Sequence, residues 1–391
     1  MRYSLPGRAR RWKRRSRRDS ASPGNRRPRA NRLLGLLLPG FLLAGLSTPT
    51  TIFAQTVVGV GPDAELRLGA FIQPAYRYQS LEGAEDLTGF FLRRARIDLQ
   101  GHILAGRVRF RLLPDLAGSP MPRDAWVEVD APLGLDLRMG QQIVPFHLQR
   151  ERSMGRSHFG DRALASRRFE ISGGRDIGGT LSWSAPSRRA ALIAGAFNGQ
   201  GMNRREPSPA PLLSGRGSVS FGGPVARSET DLARTPTPVA TISGGAMSAR
   251  KSFLRPRPGF AAEQSADWWN ATTDLHLRYR GFSLVGAWFE QRVSQNADPT
   301  PPSIRGGGGY VSVGWVLPGR DVELAIQYSE AEWDRERDGG PAREGGVGVT
   351  FFHREHELQT RVQLHRLRSA PLGVLPSATV LTVEHQLLLG G

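Results

Sequence analysis

Apolar residues fall on every second position through most of this chain, and that period restricts the fold more than any other feature. Between residues 66 and 78, Leu66, Leu68, Ala70, Ile72, Pro74, Tyr76 and Tyr78 share one parity while Arg67, Gln73 and Arg77 take the other. Successive side chains of a strand point to opposite faces, so such a run has one apolar and one polar face. Ala95, Ile97 and Leu99 likewise oppose Arg94, Arg96, Asp98, Gln100 and His102, and Val108, Phe110 and Leu112 oppose Arg107, Arg109 and Arg111. Helical spacing would scatter these arginines around an axis; alternation gathers them into a row. Leu135, Leu137 and Met139 continue the device against Asp136 and Arg138, as do Ile177, Leu181 and Trp183 against Asp176, Thr180 and Ser182.

Residues 272–280 and 282–293 then predict a long hairpin turning near Gly281, followed by strands over 308–317, 321–333, 345–353, 356–368 and 378–389. Turn residues punctuate them, as at Pro318-Gly319 and Asp338-Gly339-Gly340-Pro341. With the weaker candidates at 214–222 and 238–246, about sixteen strands of about ten residues run from residue 66 to residue 389. Strands of a soluble β-sandwich are nearer five or six residues, and no short repeat suggests a propeller. Within hydrocarbon every backbone polar group must be paired inside the protein, so a β-rich chain crosses only as a closed cylinder. The expected fold is all-β, a transmembrane antiparallel β-barrel of about sixteen strands. Trp268, Trp269, Trp288, Trp315 and Trp333 fall near strand ends, where an interfacial girdle would hold them.

The amino-terminal residues follow a different logic. Residues 2–32 hold 13 basic residues and one acid, Asp19, ahead of an apolar run at 33–46 and the segment STPTTIFAQ. That order of basic, apolar and small residues marks a secretory signal peptide over residues 1–54 and leaves residues 55–391 as the barrel. The apolar run is shorter than the ~20 residues a spanning helix requires. Without this segment the net charge falls from +18 to +6, because 13 of the 53 basic residues and one of the 35 acids go with it. The basicity that would suggest a nucleic-acid partner thus sits in the part expected to be removed, and no nucleic acid is expected to bind. The chain has no cysteine, which suits passage through an oxidising periplasm.

Four longer intervals, residues 146–175, 198–213, 224–236 and 248–267, interrupt the strands. The first carries Arg150, Arg152, Arg156, Arg162, Arg167 and Arg168 against Glu151, Asp161 and Glu170. Folded into the lumen, it would form a positive constriction. Four blocks in order, FFLRRARIDLQG (90–101), GQQIVPF (140–146), GGRDIGG (173–179) and GAFNGQG (195–201), resemble the signature of the phosphate-selective porin O and P family. The resemblance covers residues 66–201 and implies a sixteen-stranded homotrimeric porin of the bacterial outer membrane, surrounded by its lipid, with an inward third loop and arginines along an anion path. It assigns part of an anion-binding constriction to Arg93, Arg94 and Arg96. Because alternation cannot turn two neighbours to one face, Arg93 is expected at a bulge or a strand mouth. The chain departs from the family pattern in having one lysine beyond residue 54, Lys251, so phosphate is one anion among several.

Two readings of the arginine row stand side by side. In one, Arg93, Arg94, Arg96, Arg107, Arg109 and Arg111 line the pore and replace part of an anion's hydration with guanidinium hydrogen bonds. In the other they pair with Asp98, Asp115, Asp124, Glu128 and Asp130 and brace the wall. The first gives a water-filled channel for passive diffusion of small, preferentially anionic solutes; a non-selective porin, or a structural barrel without conductance, is the alternative. No catalytic residue, metal site or cofactor is expected. His353 and His356 flank a turn that does not bring both rings to one ion, the glycine run 306–309 lacks the Lys-Ser or Lys-Thr of a P-loop, and no G-x-S-x-G elbow occurs. A membrane-embedded hydrolase would have to use Ser153 and His147, near neighbours with no supporting context.

Overall fold

Each run of alternating residues forms a strand, and from β2 onward each strand pairs antiparallel with the next. The computed structural model describes residues 56–205, 210–252, 266–295, 303–370 and 376–390; the signal segment expected over 1–54 lies outside the described residues. A short β1 (Thr56–Gly61) leads into β2 (Ala64–Leu81), β3 (Leu87–Ile103), β4 (Val108–Asp115), β5 (Met121–Ala131) and β6 (Leu135–Ile143). After an interval holding the short helices α1 (Leu148–Glu151) and α2 (Leu164–Phe169) come β7 (Arg175–Ser184), β8 (Ala190–Phe197), β9 (Leu212–Phe221) and β10 (Val239–Ser252). The last seven are β11 (Ala266–Tyr279), β12 (Phe282–Gln295), β13 (Ser303–Val316), β14 (Val322–Glu332), β15 (Ala342–Arg354), β16 (Leu358–Arg368) and β17 (Ala378–Leu389).

The sheet closes on itself. β17 returns to β2, with Ala378 opposite Leu81 and Leu389 opposite Ala70, so β2 to β17 make a sixteen-stranded barrel. Closure leaves no bare edge in the lipid layer, which is what a sheet needs to cross one. The sequence reading starts the strands at residue 66 and does not anticipate β1. That strand pairs with residues 64–68 of β2, on the edge that β17 occupies further along, so β1 and β17 lie end to end.

One end of the barrel has turns of a few residues, such as 104–107, 132–134, 280–281 and 355–357, while the other carries longer connections, including 144–174 and 198–211. Among the described connections at the short-turn end one is long, residues 222–238, which join β9 to β10.

Polarity is inverted relative to a protein that folds in water. Along β9, Ser214, Arg216, Ser218 and Ser220 are buried while Leu213, Val219 and Phe221 are exposed; along β14, Glu323, Gln327 and Ser329 are buried while Leu324, Ile326 and Tyr328 are exposed. Contiguous apolar surface of this extent is covered by lipid in a stable protein. Exposed Phe282, Trp315 and Phe351 ring the short-turn side of the apolar band, and exposed Trp288 and Tyr328 the other. Two tryptophans expected in that girdle are not there. Trp268 and Trp333 sit on the lumen parity and are buried, where the Trp333 ring lies 6.4 Å from Phe169 and nearly parallel to it. Nearness to a strand end suggested the girdle, but parity decided the face.

Two bulges change the parity of the arginines. Gln73 pairs with Arg94 and the next residue, Pro74, with Leu92, so Arg93 is an extra residue on β3. Leu113 pairs with Asp124 and Pro114 with Pro122, so Arg123 is an extra residue on β5. Proline cannot donate to the ladder, and it stands at both irregularities. Each bulge turns an additional guanidinium toward the lumen beside a normally alternating neighbour.

Candidate functional site

Residues 144–174 bind the lumen-side residues of one half of the wall. Leu148 N donates to Asp274 Oδ1 on β11 at 3.2 Å, and Asn270 Nδ2 donates to Phe169 O at 2.6 Å. The His158 ring nitrogens lie 2.8 Å from Ser283 Oγ on β12 and 2.9 Å from Ser312 Oγ on β13. Ala165 N donates to Ser329 Oγ on β14 at 3.0 Å, and Gly160 N to Gln363 Oε1 on β16 at 2.9 Å. Gln386 on β17 donates to Gly155 O at 3.0 Å. Phe169 stacks on Phe289 at 5.7 Å between ring centres, so apolar packing backs these polar ties.

A second segment meets the first from the short-turn end. Glu229, in the connection 222–238, donates its N–H to Arg156 O at 2.9 Å, and its carboxylate accepts from His158 N at 3.1 Å and Gln149 Nε2 at 3.2 Å. Thr230 Oγ1 lies 3.1 Å from Glu323 Oε2, and Asp231 accepts from Gly281 N at 2.8 Å. Sequence reasoning gave this segment no role, because nothing in its composition shows which end of the barrel it joins.

Most of these ties run to β11–β17, and open space remains beside β2–β7. There a cavity of about 220 Å³ is lined by Arg94 and Arg96 of β3, Arg111 of β4, Arg123 of β5, Arg175 of β7 and the loop arginines Arg150, Arg152, Arg156 and Arg162. Asp98 and Glu151 are its acids. Four of the arginines have carboxylate partners: Arg96 with Asp115 at 2.8 Å, Arg111 with Asp98 at 2.6 Å, Arg175 with Asp124 at 2.8 Å, and Arg150 with Glu170. Among the described residues, Arg94, Arg123, Arg152 and Arg162 have none within ion-pair distance. Arg94 is held by Gln73 and by Gly160 O at 3.0 Å, and Arg152 by the His276 ring at 2.6 Å. Arg162 donates to the carbonyls of Gln149, Arg150 and Arg152 at 3.1, 3.2 and 3.2 Å.

The other arginines singled out from the sequence lie elsewhere. Arg93 faces inward at its bulge but binds Asp161 at 2.7 Å and Glu384 at 3.0 Å, fastening the loop to the wall. Arg107 is exposed in the turn between β3 and β4, one residue before its strand begins, and does not line this cavity. Arg109 pairs with Glu128, Asp130 and Asp136 at 2.8, 2.8 and 2.5 Å. Arg167 pairs with Glu344 at 2.5 Å, and neither it nor Arg168 lines the cavity. All five acids considered for bracing, Asp98, Asp115, Asp124, Glu128 and Asp130, carry arginine partners. Sequence reasoning missed Arg123 and Arg175. The GGRDIGG block contains Arg175 in plain view, whereas Arg123 reaches the lumen only because its strand bulges.

Loop groups register the positive field. Burial pushes the pKa of Arg162 down to about 9, with Arg175 and Arg94 adding to the effect; the group stays charged at neutral pH. Burial would raise the Asp161 carboxyl, but Arg93, Arg94 and Arg167 outweigh it and hold this group well below the usual carboxylate range. His147, fully buried, is pushed well below the ordinary imidazole value by burial and by Arg150, Arg162 and Arg216. Its Nε2 lies 3.1 Å from Glu170, while Ser153 Oγ accepts from Gly155 N at 3.3 Å, so the two are engaged apart from one another. His353 Nε2 contacts Thr360 on the outer face, and His356 contacts Ser228.

Residues 65–325, two thirds of the sequence, match the model of the family described as phosphate-selective porin O and P. The chain belongs to this family. The porin is thus a channel-forming barrel of the bacterial outer membrane, its long loops extracellular and its short turns periplasmic. Its fold is similar to that of the anion-selective porin from Comamonas acidovorans, at TM-score 0.64 and 12% identity, covering 83% of this chain and all of that one. The outer membrane channel DcaP of Acinetobacter baumannii matches at TM-score 0.57 and 13% identity, covering 83% of this porin and 97% of DcaP. OmpT of Vibrio cholerae, solved in a trimer form, matches at TM-score 0.55 and 11% identity over 83% and 99% of the two chains. No curated protein sequence matches the porin.

Proposed function

We propose that this porin passes small solutes by diffusion along the β2–β7 side of the lumen and favours anions. The observation that carries the proposal is the imbalance of the cavity, where nine arginines face two acids and Glu151, one of the two, is itself paired with Arg216 at 2.5 Å. A partly dehydrated anion there exchanges water for guanidinium hydrogen bonds, whereas a cation finds no comparable set of acceptors. Arg94, Arg123, Arg152 and Arg162 supply the net field; Arg96, Arg111 and Arg175, each held by a carboxylate, shape the wall. The name of the Comamonas porin, anion-selective, agrees with this reading. The trimer form of OmpT supports a homotrimer.

In planar bilayers under a potassium chloride gradient, the reversal potential should carry the sign of chloride permeation. A potential of the opposite sign, or none, would remove the anion preference and leave a non-selective channel. Chloride current that falls as phosphate is added would extend the preference to phosphate. Absence of any conductance from the membrane-inserted protein would overturn the diffusion path and leave a structural barrel.

A further inference from the structure

The outer wall becomes charged where its apolar band ends. On β12 the outward positions pass from Trp288 to Glu290 and Arg292 toward the extracellular side, and β13, β15 and β16 change in the same way at Arg305, Arg343, Arg366 and Arg368. Register sets Arg292 directly opposite Arg305, and Arg343 directly opposite Arg368. Like charges facing one another across a ladder are destabilising unless something negative lies between them. The neighbouring acids relieve only part of this. Glu290 is taken up by Arg335 at 2.9 Å, and Glu330 stands 3.8 Å from Arg343. Glu332 shares the same rim.

Among the described residues, Arg292, Arg305, Arg366 and Arg368 have no carboxylate within ion-pair distance. Arg292 rests 5.5 Å from the ring centre of Trp269, and Arg366 donates to Thr379 Oγ1 at 2.7 Å. Below Arg366, strands β13–β17 enclose an apolar groove of about 480 Å³ that runs obliquely from Leu364 past Val347 and Ile326 to Trp315 in the periplasmic girdle. Gly345, paired with Tyr328 on one side and Arg366 on the other, has open space where a side chain would stand. The gap connects groove and arginines.

We propose that the outward arginines of β12–β16 bind the phosphorylated headgroup of an outer-leaflet lipid, one of whose acyl chains enters the groove below Arg366. Guanidinium forks match phosphate oxygens in pairs, and a phosphate between Arg292 and Arg305 converts a repulsive cross-strand pair into a binding site. Charge on this face is tolerated because these strand ends reach the headgroup zone. The surface is separate from the lumen, so lipid binding and solute passage are independent properties.

Native mass spectrometry of the detergent-purified full chain, titrated with diphosphorylated lipid A, tests the proposal. Wild type should retain the lipid, and R292Q/R305Q and R366Q/R368Q should each hold it roughly tenfold more weakly with conductance unchanged. Wild type should also hold dephosphorylated lipid A no better than the variants hold the phosphorylated form, a comparison that needs no substitution. Equal retention by wild type and variants, or indifference to the phosphates, would overturn the assignment. So would loss of the oligomer in the variants with lipid retention intact, since the rim would then contact a second copy of the chain.

Discussion

Arg162 rests its guanidinium on three carbonyl oxygens of its own loop, so its charge is positioned without being cancelled. At an effective dielectric near 20, a unit charge about 6 Å from a permeating ion contributes about 3 kcal/mol. One uncompensated arginine therefore matters more to selectivity than several ion-paired ones. R162Q is expected to lower the anion-to-cation permeability ratio several-fold, read as a smaller reversal potential. R109Q, which breaks a five-residue network with Glu128, Asp130, Asp136 and Arg138 near the periplasmic mouth, should leave that potential close to wild type and lower resistance to urea instead. His356 offers a test by pH. Burial, with Arg156 and Arg361 nearby, lowers its pKa from 6.5 to about 4, so the folded state takes up this proton less readily than the unfolded chain. Its contribution is complete above pH 6.5 and is lost as pH falls toward 4. The urea midpoint should decline through that window, and H356Q should flatten the decline.

Strand β3 shows how much of the site an alternating sequence can reveal. The parity of Ala95, Ile97 and Leu99 against Arg94, Arg96 and Asp98 is legible directly, and the doubled arginine implies a bulge, which is found at Arg93. What stays hidden is the partner across the lumen: Asp161 and Glu384 are distant in sequence, and they make Arg93 an anchor. β5 carries the same device at Arg123 with no doubled arginine to announce it. Trp268 and Trp333 were misplaced for a related reason, since their face depends on strand phase and on the loop that packs against them. Deleting Arg93 should restore strict alternation on β3. The barrel is expected to form, with its heat-modifiable gel mobility retained, while current noise rises as residue 161 loses its tether. On β14, Ile326 lies mid-strand and is 59% exposed to what is hydrocarbon in the membrane. I326R should cost about 2–4 kcal/mol, measured as reversible folding into phosphatidylcholine vesicles.

At the scale of the molecule, sixteen strands and their closure follow from period, length and the need to pair every backbone group, and all three are visible in sequence. The division of the lumen is not. It depends on residues 222–238 rising from the periplasmic end to meet the extracellular loop at Glu229, and only the full count of strands fixes that end. The proposed solute path therefore runs off the barrel axis, against the arginine-bearing wall. The seam between β17 and β2 has a further consequence for how the molecule is made. Gln73 and Gln386, which bond across it at 2.7 Å, stand 313 residues apart, a contact whose loop-closure entropy costs about 5 kcal/mol. No partial chain that lacks the last strand can meet that cost, and until the latch engages, β2 presents a bare hydrogen-bonding edge from Ala70 to Leu81. Assembly is therefore expected to hinge on a single late zipping event.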